Sequence, residues 1–96
     1  MTLDAILDKL SKESKALEGF GVKSLSVFGS VARGDATAQS DVDLLVEFEE
    51  PVGFFELARL QRYLERTLEA KVDLVTPGGL RASMRERVLR EAVRAA

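Results

Sequence analysis

Three carboxylates and one glycine-serine turn are the residues of this 96-residue chain whose types and spacing can do chemistry. Asp41 and Asp43 flank a single Val in the run Ser40-Asp-Val-Asp-Leu44. On a strand, residues two apart leave the same face with their Cα atoms roughly 6.5 to 7 Å apart, so one cation can sit between them. Val42 and Leu44 then point the other way, into a core, which fixes the register and keeps both acids on the far face. Asp73 stands between Val72 and Leu74 and follows the same rule. If the two strands are neighbours, three carboxylates converge. Unpaired, they would repel and raise one another's pKa values; Mg²⁺, which takes oxygen ligands and is commonly held by one or two carboxylates, water and a substrate phosphate, removes that cost. Two such ions about 3.5 to 4 Å apart can activate an attacking oxygen and stabilise a leaving one. An isolated Asp-x-Asp reads more readily as a solvated strand end; the third acid in phase brings the two readings level.

Gly29-Ser30 follows a short apolar run directly, and Val31-Ala32-Arg33-Gly34 has the form of one or two helical turns with Ser30 as N-cap and Gly34 as terminator. A strand, a tight turn and a helix start make an anion site: Gly29 lets backbone approach a ligand, while N–H groups and the Ser30 hydroxyl can hold phosphate oxygens. Arg33 can add a fork of donors. Gly-Ser alone is a common turn dipeptide. Placed ahead of an Asp-x-Asp strand, it completes a site for a nucleoside triphosphate.

The elements that must carry these residues follow from hydrophobic spacing. Leu3, Ile6, Leu7, Leu10 and Leu17 predict a helix over 3–18. Alternation predicts strands over 23–28 and 42–48, the second with Val42, Leu44, Val46 and Phe48 on one face and Asp41, Asp43, Leu45 and Glu47 on the other. Phe54, Leu57, Leu60, Leu64 and Leu68 predict a helix over 54–69, Lys71 to Val75 a third strand over 71–75, and Leu80, Met84, Val88, Ala92 and Ala95 a helix over 80–95. The helix between the second and third strands makes those strands parallel neighbours. The expected fold is α/β, two layers, a small mixed sheet of about three strands with three helices, and residues 1–96 form a single domain.

Composition narrows the chemistry further. The chain has no Cys and no His, which excludes disulfide frameworks, thiolate or imidazole zinc sites, Cys proteases and Ser-His hydrolases. No stretch approaches the roughly 20 apolar residues of a membrane helix, and the acids in the N-terminal ten residues argue against a secretory signal, so a cytoplasmic location is expected. The net charge of -2 conceals a segregation. Residues 34–56 hold Asp35, Asp41, Asp43, Glu47, Glu49, Glu50 and Glu56 and no Lys or Arg, a density that repels itself unless a cation sits there.

The segment Gly-Ser-Val-Ala-Arg-Gly-Asp-Ala-Thr-Ala-Gln-Ser-Asp-Val-Asp-Leu, residues 29–44, resembles the DNA polymerase β-like nucleotidyltransferase superfamily, and within it the minimal nucleotidyltransferases. Gly29, Ser30, Ala32, Arg33, Gly34, Ser40, Asp41, Asp43 and Leu44 match that wording; Ala38 and Gln39 stand where many relatives have a Pro and an acid. The resemblance implies that Gly29 and Ser30 bind the triphosphate, that Asp41 and Asp43 hold both Mg²⁺ ions, and that Asp73 completes the second ion and helps deprotonate the acceptor hydroxyl. It implies transfer of AMP from ATP with release of pyrophosphate. It also implies a partner, a small helical HEPN-domain toxin, on which a tyrosine is adenylylated by the chain acting as antitoxin. Transfer to a small molecule would call for an acceptor-binding domain that 96 residues leave no room for. An antitoxin acting by binding alone would not need Ser30, Asp41, Asp43 and Asp73 intact. A nucleic-acid module is the weakest alternative, since the Arg residues after position 80 alternate with Glu86 and Glu91 as on a solvated helix.

Overall fold

A computed structural model describes residues 2–96. Thr2 caps the first helix, α1 (Leu3–Ser11), by accepting the Ala5 N–H at 3.2 Å, and Ile6 and Leu10 are fully buried one turn apart. The expected single helix over 3–18 is broken. The chain leaves helical geometry at Glu13 (φ -105°, ψ 14°) and restarts as α2 (Ser14–Gly19). Glu13 accepts a hydrogen bond from the Tyr63 hydroxyl, and the re-aimed turn brings Leu17 into the core and Phe20 against Tyr63, ring centroids 5.2 Å apart. Apolar spacing alone does not register such a bend, because both pieces keep one buried face.

The sheet has four strands in the order β3-β2-β1-β4. Strand β1 (Val22–Phe28) runs antiparallel to β2 (Val42–Phe48), with a bulge between Val22 and Ser24, and the short helix α3 (Gly29–Arg33) lies between them in sequence. Helix α4 (Phe54–Leu68) then crosses back to β3 (Val72–Val75), which pairs parallel to β2 as expected. Leu60, Leu64 and Leu68, at i, i+4 and i+8, have no exposed surface. They pack with Ile6, Leu10 and Leu17 on the face of the sheet formed by Leu25, Val27, Val42, Leu44, Val46, Val72 and Leu74. Helix α4 also satisfies the first backbone groups of β3: Gln61 donates to the Val72 carbonyl at 2.8 Å and Glu65 accepts the Val72 N–H at 3.1 Å.

The end of the chain departs most from expectation. After a 3₁₀ turn at Pro77–Gly79, the last helix, α5 (Ala82–Glu91), stops four residues short of position 95, and Val93–Arg94 forms β4 on the open edge of β1. The Leu25 N–H donates to the Ala96 carbonyl at 3.0 Å, and the Ala95 N–H to the Leu25 carbonyl at 2.8 Å. The repeat Val88, Ala92, Ala95 fits a helix, but β1 would otherwise present an unpaired edge, and Ala92 turns extended (ψ 132°) to cover it.

Helix α5 adds a partial third layer. Leu45, expected on the solvated acid face, is 4 % exposed and forms a second small core with Phe28 and Val88. The fold remains α/β with a mixed sheet, of four strands and five helices. Among the described residues no helix is long and apolar enough to cross a membrane.

Candidate active site

Because β1 and β2 are antiparallel, the end of β1 lies beside the start of β2, and the parallel β3 brings its own start to the same edge. The register pairs Phe28 with Asp43, and Asp43 with Asp73. Gly29, the residue after Phe28, is therefore packed against Asp43. Its φ of +73° is left-handed, and a Cβ built on it would overlap the Asp43 carboxylate. Two demands converge on that one glycine, conformation and space. Gly34 closes α3 in the left-handed region (φ 82°), its N–H reaching the Ser30 and Val31 carbonyls, as expected for a terminator. The start of α3 differs from expectation: the helix begins at Gly29 with Phe28 in the cap position and no side-chain cap, so Ser30 is a half-buried residue of the first turn.

Asp43 is half-buried, whereas Asp41, one residue before β2, and Asp73 are exposed. Burial first, and then the charges of Asp73 and Asp41, push the Asp43 carboxyl above its ordinary pKa, against a smaller opposing pull from Arg33. The charges of Asp73 and Asp41 are thus both felt at Asp43, and the strand register sets Asp73 directly beside it. Among the described residues, however, no three His, Cys, Asp or Glu side chains gather closely enough to hold a metal ion on their own. The arrangement is a facing pair with a third carboxylate at its margin. An all-oxygen, self-repelling, open set suits Mg²⁺, which keeps several waters and takes further oxygens from a phosphate.

A cleft of about 280 Å³ opens over this edge. Gly29, Ser30, Arg33, Asp43 and Asp73 line it, so five of the six site residues read from the sequence meet there, with Asp41 outside the lining. The opposite wall is α5, through Met84, Arg87, Val88 and Glu91. That wall was missed. Its Arg residues read as a solvated surface, although the spacing 84, 87, 88, 91 is that of one helix face. Arg33, expected to aim its donors at a phosphate, has two of them engaged: Nε lies 3.3 Å from Asp35 and Nη1 3.3 Å from Glu91. The Asp35 hydrogen bond is the main reason its pKa is raised further.

A family model described as a nucleotidyltransferase domain matches residues 6–95, which takes in every element of this site. The chain belongs to that family. Among relatives, this nucleotidyltransferase domain is 44% identical over 94 residues to the protein adenylyltransferase MntA of Thermococcus cleftensis, covering 97% of this chain and 95% of the relative. A solved structure of a candidate minimal nucleotidyltransferase superposes with a TM-score of 0.83 at 42% identity, over 97% of this chain and 95% of the other. A complex of a tri-AMPylated Shewanella oneidensis HEPN toxin with an MNT antitoxin matches with a TM-score of 0.69 at 18% identity, over 95% of this chain and 71% of that one, a likeness of fold. The nucleotidyltransferase fold expected from residues 29–44 is the fold observed.

Proposed function

We propose that this nucleotidyltransferase transfers AMP from ATP, with Mg²⁺, to a tyrosine hydroxyl of a small helical HEPN-type partner, and thereby acts as its antitoxin. The observation that carries the reading is the juxtaposition of Asp43 and Asp73, paired across β2 and β3, with a glycine turn whose one allowed residue leaves room beside Asp43. The named activity of the 44% identical relative, which this chain spans almost end to end, supports a protein as acceptor.

In this reading Gly29 and Ser30 receive the triphosphate, and Asp41, Asp43 and Asp73 hold the cations. Bound Mg²⁺ ions would supply Lewis acidity at the reacting phosphate and charge neutralisation for the leaving group. The acceptor oxygen forms a bond to the α-phosphorus while the bond from that phosphorus to the bridging oxygen breaks, and pyrophosphate departs with the electron pair. The hydroxyl proton passes to a carboxylate, and Asp73, the more exposed of the facing pair, is the one an acceptor can reach. Since phosphoryl transfer is mainly positioning and charge stabilisation, the partner must dock so that its hydroxyl lies in line. Phe54 and Phe55, 76% and 79% exposed and in edge contact at the start of α4, offer an apolar contact for it.

The test incubates the purified chain with ATP labelled at the α-phosphate, Mg²⁺, and either a HEPN-type protein encoded beside it or a panel of small hydroxyl compounds. Label on a tyrosine of the protein supports the proposal. Label only on a small molecule refutes it, and tight binding of the neighbour without label transfer replaces it by an antitoxin that acts through binding alone.

A further inference from the structure

The cleft has two cationic side chains in its lining, and they are in different situations. Arg33 is engaged by Asp35 and Glu91 at 3.3 Å each, so its charge is already matched and it ties α3 to α5. Arg87 makes no ion pair and no side-chain hydrogen bond with any described residue. It is also held in place. Its neighbour Val88 is 1% exposed in the small core with Phe28 and Leu45, which sets the rotation of α5 and leaves position 87 on the cleft wall. Beyond Glu91 the chain is pinned again by the pairing of β4 with β1. Its guanidinium forms no ion pair with Asp43, Asp73 or Glu91, the carboxylates that share the cleft lining with it. An unmatched fork of donors therefore lines the same cleft as Gly29, Ser30, Asp43 and Asp73.

Resting on the nucleotidyltransferase reading above, we propose that Arg87 binds the phosphate tail of the nucleoside triphosphate, on the opposite side of the cleft from Gly29 and Ser30, and that Arg33 is a positioning residue that holds α5 over the site. A guanidinium fork suits a polyphosphate because it donates two parallel hydrogen bonds and keeps its charge at any working pH. It would meet the part of the substrate that departs as pyrophosphate.

The experiment measures binding of ATP, inorganic tripolyphosphate and AMP, each with Mg²⁺, by calorimetry to the wild-type chain and to Arg87→Ala, Arg87→Lys and Arg33→Ala. Thermal unfolding of each variant serves as the folding control. Arg87 is exposed, so its variants should unfold with the wild type. Arg87→Ala is expected to weaken ATP and tripolyphosphate by roughly ten- to a hundredfold, the scale of a charged hydrogen-bond pair, and to leave AMP within about twofold. Arg87→Lys should recover part of the loss, and Arg33→Ala should lower the unfolding temperature and weaken all three ligands alike. Wild-type affinity for ATP and tripolyphosphate in Arg87→Ala would overturn the assignment while leaving the functional reading in place, as would an equal loss for AMP. No binding of ATP to the wild type would overturn both.

Discussion

Gly29 shows how closely this site is specified at a single residue. Gly29 and Gly34 both have φ near +80°, but a Cβ at Gly34 would meet nothing within 4 Å, whereas at Gly29 it would meet the Asp43 carboxylate. Gly34→Ala should therefore lose only the backbone strain, about 1 kcal/mol. Gly29→Ala should lose that and more, so its unfolding midpoint should fall further than the roughly 4 to 8 °C per kcal/mol expected for a domain of this size, with loss of ATP binding. Equal midpoints for the two variants in a thermal melt would contradict this assignment. Asp43 gives a prediction of opposite sign. Its raised pKa means that the folded metal-free protein binds that proton more tightly than the unfolded chain. The stability linked to it is present below the unfolded pKa of about 3.9 and is lost as pH rises through the higher folded value. Asp43→Asn should accordingly abolish transfer yet raise the metal-free unfolding midpoint by a few degrees at neutral pH. That gain should shrink below the ordinary aspartate range, as scanning calorimetry at the two pH values would show.

Among the three longer helices, α1, α4 and α5, the last is the least deeply held and the one that completes the cleft. It buries one residue, Val88, against Phe28 and Leu45, whereas α4 buries Leu60, Leu64 and Leu68 in the main core. Val88→Ala should cost about 1 to 2 kcal/mol, and the effect should be local. Amide exchange should accelerate through 82–91 while α4 keeps its protection, and ATP affinity should fall because the Arg87 wall is no longer fixed. Uniform loss of protection across both helices would mean that the two cores unfold as one unit. Much of this element was legible in the sequence: the helix itself, its apolar spacing and its Arg content. Its end was not, because the choice at Ala92 between another helical turn and an extended strand depends on the unpaired edge of β1, some 65 residues away in the chain. The break at Glu13 is of the same kind, since Tyr63 belongs to α4.

For the whole molecule, the division of labour is spatial. Asp43, Asp73 and the Gly29-Ser30 turn line one cleft at the edge of the sheet, while Phe54 and Phe55 begin α4 and stand apart from that lining. Replacing both by Ser removes exposed apolar surface without touching a buried side chain. The double variant Phe54→Ser, Phe55→Ser should bind ATP with Mg²⁺ as the wild type does and unfold at a similar temperature, yet transfer AMP to its protein acceptor at least about tenfold more slowly, as the loss of an aromatic anchor at an interface implies. Undiminished labelling of the acceptor would place the docking surface elsewhere.

What the sequence by itself determined is whatever depends on short-range spacing. Alternation about Asp43 and Asp73 put both acids on the face away from Val42, Leu44, Val72 and Leu74, because a strand's side chains have a period of two. The glycine at position 29 marked the turn, and the helix between the second and third strands made them parallel and set Asp73 beside Asp43. Tertiary structure alone decided how the remaining groups are placed: Asp41 stands outside the cleft lining, and Arg33 is matched by Asp35 and Glu91. It also decided that Leu45 is buried and that Arg87 is a wall of the site. The Glu91 partner of Arg33, the burial of Leu45 and the place of Arg87 depend on α5 lying across the second face of the sheet, a packing fixed by Val88 and by the edge of β1. The periodicity of a helix records which face is buried, but not the surface it is buried against.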